Sequence, residues 1–378
     1  MRLLFITFLL IYFAINSVVV IHMMQVLKPF KIKYIILAIY IFFILALMFG
    51  RFSFGRLDTL FPLDVSAWLT RLGYFWMGLL TFTFFWSCIC LILRHFGIGA
   101  VEPSHRIAFY ISEVAICLVI FFIGFHIARN PVVIKHEIHT NRGTELRVVQ
   151  ISDTHLGFMM SERNFTRIVN QIVEINPDIL LITGDFLENE RSYAEIKDIG
   201  RALRNLDLKY GIWAVTGNHE YIGGIENSLA YKEALGIKTL RDSTVFISSK
   251  FLLIGQEDSS ARRFGDFPLK TLDELFEQKI DGDRTVADFS REYLTILMTH
   301  QISRHSKYEN RNIDLVLSGH THNGQFFPWN LVVKRIFDIG YGLVKRGESY
   351  FYVSSGTWHW GPPLRLGTRS EIVVFEVK

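Results

Sequence analysis

The sequence predicts an α/β chain in two parts: an N-terminal transmembrane region of about four helices, then a domain in which apolar strands alternate with helices. Three observations predict it. Half of the 378 residues are apolar and the mean hydropathy is positive, yet the excess lies before residue 130. From residue 146 onward, short apolar runs alternate with segments of helical period. Those later runs repeatedly end in Asp, Asn or His.

A hydrocarbon core of about 30 Å needs about 20 apolar residues to cross it as a helix. Residues 3–27 contain no Asp, Glu, Lys or Arg, and 34–50 are equally free of charge. Residues 72–93 carry Trp76 and Trp86, and 107–128 are interrupted by Glu113. An ionised Glu113 two turns inside a span is costly unless paired or wet, so it is expected to face another helix or a cavity. Four crossings make a multi-pass protein of the cell membrane, with a lipid bilayer as its partner. The Lys and Arg residues flanking the runs do not settle which side holds the later domain. Asn130-Pro131 ends the last helix, because proline disfavours helical geometry in the residue before it. The expected organisation is 1–130 transmembrane, 131–145 polar connector and 146–378 a second domain. Cys88, Cys90 and Cys117 all fall in apolar runs and offer neither a disulfide framework nor a thiolate metal site. A formal charge of +4, scattered along the chain, is too small to suggest nucleic acid, so no nucleic-acid partner is expected, and nothing identifies a protein partner.

In the second part, residues 146–152 form a strand that exits into Asp153-Thr154-His155. A helix follows with Phe165, Ile168, Val169, Ile172 and Val173 on one face. Residues 178–183 form a strand ending in Gly184-Asp185, and a helix is expected near 192–206. Three further strands deliver Gly217-Asn218-His219-Glu220, His300 and Gly319-His320-Thr321-His322. Five strands thus present polar residues at their carboxyl ends, where open α/β sheets place their sites. The set mixes oxygen donors (Asp153, Asp185, Asn218) with imidazoles (His155, His300, His320, His322) and has no thiolate. That chemistry suits Mn²⁺, Zn²⁺ or Fe. Seven ligands exceed one tetrahedral ion. If Asp185 bridges, they divide between two divalent metal ions about 3.5–4 Å apart. The other histidines, His22, His95, His105, His126, His136, His139 and His305, lack ligand spacing and are expected in packing or at the surface.

This order of motifs resembles the calcineurin-like metallophosphoesterase superfamily over residues 146–378. The stretches around His322-Asn323-Gly324-Gln325 and Gly356–Pro363 resemble its bacterial membrane-associated branch, related to UDP-2,3-diacylglucosamine hydrolases. Asn323 and His359 depart from that branch's usual Gly and Tyr. The resemblance implies a four-layer α/β/β/α sandwich. It implies a first metal held by Asp153, His155, Asp185 and His322, and a second held by Asp185, Asn218, His300 and His320. It also implies that His219 contacts the phosphate and helps protonate the leaving oxygen, and that the segment of His359 lies near the site. Metal coordination can lower the pKa of water towards about 7, so the expected reaction is attack on phosphorus by a metal-bridging hydroxide.

The expected function is therefore a membrane-anchored phosphodiesterase or pyrophosphatase with two divalent metal ions per chain, Mn²⁺ foremost. Phe326, Phe327, Trp329, Trp358 and Trp360 lend aromatic character near the His-rich motif and favour a lipid-linked or envelope phosphate ester. Lys334, Arg335, Lys345 and Arg346 could attract its phosphate. A phosphomonoesterase or cell-wall phosphodiesterase stays open, as does a membrane sensor or transport protein with a regulatory metal domain.

Overall fold

A computed structural model describes the chain apart from residues 1, 52–60, 100, 189–197, 265–267 and 303. It divides into two compact units, Met1–His126 with Gly361–Leu364, and Ile127–Trp360 with Arg365–Lys378.

The first unit contains α1 (Arg2–Val26), α2 (Ile32–Arg51), α3 (Leu63–His95) and all but the last two residues of α4 (Arg106–Ala128). All four are long and apolar enough to cross a membrane. The third begins nine residues before the expected run, because Leu63–Arg71, though it carries Asp64 and Arg71, continues the helix behind Pro62. Glu113 is buried, and its partners are identified. Its Oε1 accepts from Trp86 Nε1 at 2.7 Å and from Cys90 Sγ at 3.4 Å, and His22 Nε2 lies 3.1 Å away. His22 stands 91 residues earlier, a pairing that no local spacing reveals.

The second unit opens with β1 (Val132–Ile138) and β2 (Leu146–Ile151), followed by α5 (Glu162–Ile175). Next come β3 (Ile179–Thr183), β4 (Ile212–Val215), α6 (Asn218–Ile222), α7 (Ile225–Ala234) and β5 (Ile237–Thr239). Strands β6 (Ser243–Ile247) and β7 (Phe251–Gly255) precede α8 (Leu272–Phe276), the small pair β8 (Lys279–Asp281) and β9 (Arg284–Thr285), and α9 (Val286–Glu292). The chain continues through β10 (Leu294–Met298), β11 (Leu315–Ser318), α10 (Trp329–Ile336), β12 (Gly342–Arg346), β13 (Ser349–Val353) and β14 (Glu371–Val377).

Two six-stranded sheets result, in the orders β1-β14-β2-β3-β4-β5 and β12-β13-β11-β10-β7-β6. Strands β2 to β5 are mutually parallel, as are β7, β10, β11 and β13. Side chains on a strand alternate between faces, and here both faces are covered, so the inner strands are mostly apolar. In β3, Leu180 and Ile182 enter an apolar layer with Phe165 and Ile168 of α5, while Leu181 enters a second layer. That second layer joins the sheets, with Val148, Val215 and Phe375 from one and Leu253, Ile296 and Leu317 from the other. A third holds Leu297 and Val316 against Leu275 and Phe276 of α8. Three apolar layers between four structural ones make the α/β/β/α sandwich.

The 131–145 stretch expected as a connector contains β1, which pairs in parallel with β14 from Val132 to Ile138. Its residues alternate half-buried and exposed, the pattern of an edge strand with one wet face, and Lys135, His136 and Glu137 account for its polar composition. In α5, Ser161 caps the N-terminus by accepting from Asn164 N, and Asn176 ends the helix at φ 51°. Phe165, Ile168, Val169 and Ile172 are buried but Val173 is exposed, since 100° per residue carries it to the stripe's margin. Of the helix expected near 192–206, Ile199–Asn205 is a 3₁₀ helix and the earlier part lies outside the described residues.

Phe375 is fully buried between the sheets. Phe375→Ala should lower unfolding stability by roughly 3–5 kcal/mol, the usual scale for a large aromatic truncation. Chemical denaturation of the detergent-solubilised protein, read by near-UV circular dichroism, checks this.

Candidate metal centre

All seven expected ligands follow the carboxyl ends of parallel strands. Asp153 and His155 follow β2, Asp185 follows β3 and Asn218 follows β4. His300 follows β10, while His320 and His322 follow β11. The two sheets thus contribute from opposite sides of the same apolar layer.

Three overlapping groups of donor atoms lie together: Asp153 with His155 and His322, His155 with Asp185 and His219, and Asp185 with His300 and His320. His322 Nε2 is 3.1 Å from His155 Nε2 and 3.4 Å from Asp153 Oδ1. Asp185 Oδ2 is 3.2 Å from His300 Nε2 and 3.8 Å from His155 Nε2. Asp185 and His155 each belong to two groups. Asn218 has its Oδ1 buried without a hydrogen-bond partner among the described residues. A buried acceptor left without a donor is costly, and a cation satisfies it. The residues present therefore fit a pair of metal ions.

The backbone is bent to this purpose. Asp153, His155, Asp185, His320 and His322 all have positive φ, between 44° and 73°. Each such non-glycine residue costs of order 1–3 kcal/mol and persists only where its surroundings enforce it. Glycines supply the room. A Cβ on Gly217 would stand 2.2 Å from Asp185 Oδ1, and one on Gly319 would stand 1.9 Å from Ser152 Oγ.

Charge is arranged with equal economy. Burial works against the Asp185 carboxylate, but His300, His219 and His155 hold it well below the usual range. Burial, then the neighbouring His300, pushes His320 down to about 4. Burial, with His155 and Arg365 beside it, holds His322 well below the ordinary histidine value. His320 and His322 are thereby neutral at pH 7, with a ring-nitrogen lone pair to offer a metal.

A family profile described as calcineurin-like phosphoesterase matches residues 146–324. An uncharacterized metallophosphoesterase of Helicobacter pylori is 34% identical over 71% of this chain and 68% of its own length. A second Helicobacter pylori metallophosphoesterase is 29% identical over 97% of this chain and 96% of its own. A Danio rerio transmembrane protein with a metallophosphoesterase domain is 29% identical over 88% of this chain and 78% of its own. The chain belongs to the calcineurin-like metallophosphoesterase family. It is accordingly a metal-dependent phosphoester hydrolase, of a family that binds a dinuclear divalent metal site.

Three residues of this metallophosphoesterase centre escaped sequence reasoning. Glu188 lies 2.8 Å from His155 Nδ1 and 3.4 Å from His219 Nδ1, orienting both rings. Arg365 is wholly buried, donating to the carbonyls of His322, Ser355 and Trp358 and lying 3.2 Å from His322 Nδ1. Neither position carries a motif signal. Glu220 did carry one, beside Asn218-His219. Its carboxylate accepts from the N–H groups of Asp185 (3.1 Å), Phe186 (2.8 Å) and Gly217 (2.7 Å). It thus ties the β3 and β4 exits into one unit.

Of the aromatic residues, Trp358 is buried and stacks on buried His359, ring centres 5.1 Å apart. Trp360 is half exposed and sets its ring 6.0 Å from that of His219. Lys334, Arg335, Lys345 and Arg346 are exposed.

The buried Lys232 Nζ is 3.9 Å from Glu220 Oε1. Glu220→Ala would strand that cation and four N–H groups, that of Leu187 among them, so stability should fall by roughly 3–5 kcal/mol. Thermal denaturation should show the loss, with reduced metal retention on dialysis.

Proposed function

We propose that Asp153, His155, Asp185 and His322 hold one divalent ion and that Asp185, Asn218, His300 and His320 hold a second, with Mn²⁺ the preferred metal. We propose further that the enzyme hydrolyses a phosphodiester or pyrophosphate of a lipid-linked or envelope compound. The observation that carries the reading is Asp185, whose carboxylate reaches toward both His155 and His300 and so joins the two halves of the donor set. Bound ions would polarise phosphate oxygens and lower the pKa of water.

The chain's own residues supply the rest. The His219 backbone N–H donates to Asp185 Oδ1 at 2.8 Å, which fixes the residue beside the donor cluster. Its ring Nδ1 is steered by Glu188, through the carbonyl at 3.3 Å and the carboxylate at 3.4 Å. A histidine so held is suited to give a proton to the departing oxygen. The ring of Trp360 beside it supplies an apolar wall. The lipid part of the reading is supported by four apolar helices on the same chain and by relatives named as transmembrane proteins.

With purified full-length protein, His219→Ala should retain both metals by elemental analysis yet lose on the order of 10²–10⁴ in turnover of bis-p-nitrophenyl phosphate. Retention of both metal and rate overturns the role given to His219. Chelation should abolish hydrolysis and Mn²⁺ restore it, whereas Asp185→Ala should lose both ions and stay inactive on readdition. Comparing cellular lipids with and without Asp185→Ala addresses the substrate. Turnover confined to small soluble esters removes the lipid assignment, and two bound metals without turnover of any phosphate ester would favour a sensor.

A further inference from the structure

We propose that α10, with Phe327 before it, is an interfacial helix that seats the rim of the active site on a lipid bilayer. None of the eight residues of α10 is buried. Phe327 is 60% exposed, Trp329 53%, Leu331 53% and Ile336 71%, with Val332 exposed beside them. Trp329, Val332 and Ile336 are spaced three and four apart and share one side of the helix. Lys334 and Arg335 are exposed in its last turn.

An exposed apolar patch of this kind marks a surface with a partner. The segment is also firmly built rather than frayed. Phe327 N–H donates to Leu366 O at 2.8 Å, Thr368 Oγ1 donates to Gln325 O, and Gly340 closes on Val333. The fold holds these apolar side chains out in water.

The composition selects the occupant. Tryptophan, phenylalanine and aliphatic residues beside Lys and Arg are the mixture that enters the headgroup boundary, and the cations complement anionic phospholipid. The same chain provides the bilayer, because α4 ends at Ala128 and β1 begins at Val132. Residues 129–131 alone join that apolar helix to β1.

The helix is joined to the chemistry. It begins at Trp329, six residues after Asn323. Gln325 exchanges hydrogen bonds with the Trp360 backbone, at 2.9 Å to its carbonyl and 2.8 Å from its N–H, and Trp360 faces His219. Seated in the headgroup layer, α10 would present a bilayer-resident ester to that rim without its leaving the membrane. The proposal rests on reading α1 to α4 as spans, and it holds whichever ester is cleaved.

The test uses the full-length chain in nanodiscs of phosphatidylcholine and phosphatidylglycerol. Cys88→Ala, Cys90→Ser and Cys117→Ala clear the native thiols, and an environment-sensitive fluorophore is placed through Ile336→Cys or, as control, Asp283→Cys, whose side chain is 98% exposed. Doxyl-labelled lipid should quench the label at Ile336→Cys and leave that at Asp283→Cys unchanged. Equal response at the two positions overturns the proposal. So does a label at Ile336→Cys that ignores doxyl lipid but responds to the number of chains per disc, which would make the patch a contact between copies. In a second arm, Leu331→Asp with Ile336→Asp should cut hydrolysis of a bilayer-resident phosphate ester about tenfold, because the spans still hold the chain in the disc but the rim loses its local concentration of ester. Hydrolysis of soluble bis-p-nitrophenyl phosphate should be unaltered. Parallel loss of both activities, or of neither, overturns delivery. If the unsubstituted chain hydrolyses no ester, the phosphoesterase reading fails while quenching still decides the seating.

Discussion

At the centre of the catalytic unit, carboxylates and imidazoles crowd together away from water, and much of the surrounding structure exists to make that tolerable. Buried charge is expensive unless every group is paired. Here Asp185 accepts from the His219 backbone, and Asp153 accepts from the His320 backbone and the Ser152 hydroxyl. Glu220 and Arg365 then hold, by side chain to main chain, the loops that carry these groups. The five left-handed backbone positions are tolerated because these bonds leave the loops no relaxed alternative.

The sheets are the stiff frame behind that arrangement. Strands β2 to β4 and β10 to β11 are apolar on both faces, so a register slip would gain nothing on one face and lose packing on the other. Their carboxyl ends are fixed in consequence, and short side chains placed there need little freedom to meet. Asp185 meets His155 from one sheet and His300 from the other, and Leu181 and Leu317 of those sheets share one apolar layer.

What was legible in the sequence followed from local periodicity and residue type. Strands β2, β3, β4, β10 and β11 showed themselves as apolar runs with a polar exit, and the four long helices by length and absence of charge. What was not legible depended on partners distant in the chain. Glu188 and Arg365 look like ordinary surface charges until the fold brings them to His155 and His322. The strand character of 132–138 was hidden because its partner is β14. Trp329 and Trp358 sit in equally aromatic stretches, yet one is half exposed and the other wholly buried, a difference that only packing decides.

Strand β14 lies between β1 and β2, so the first two strands of that sheet are bridged by its last. Arg147 and Glu376, ion-paired across β2 and β14, are 229 residues apart. During synthesis at about 5–20 residues per second, β1 and β2 wait roughly 10–45 s for the strand that joins them. Through that interval their edges offer unpaired N–H and C=O groups to any other strand. The sheet that carries Asp153 and Asp185 therefore closes late and at high contact order. A nascent chain thus presents the β3 and β4 exits, with Asp185 and Asn218, before the strand that completes their sheet has been made.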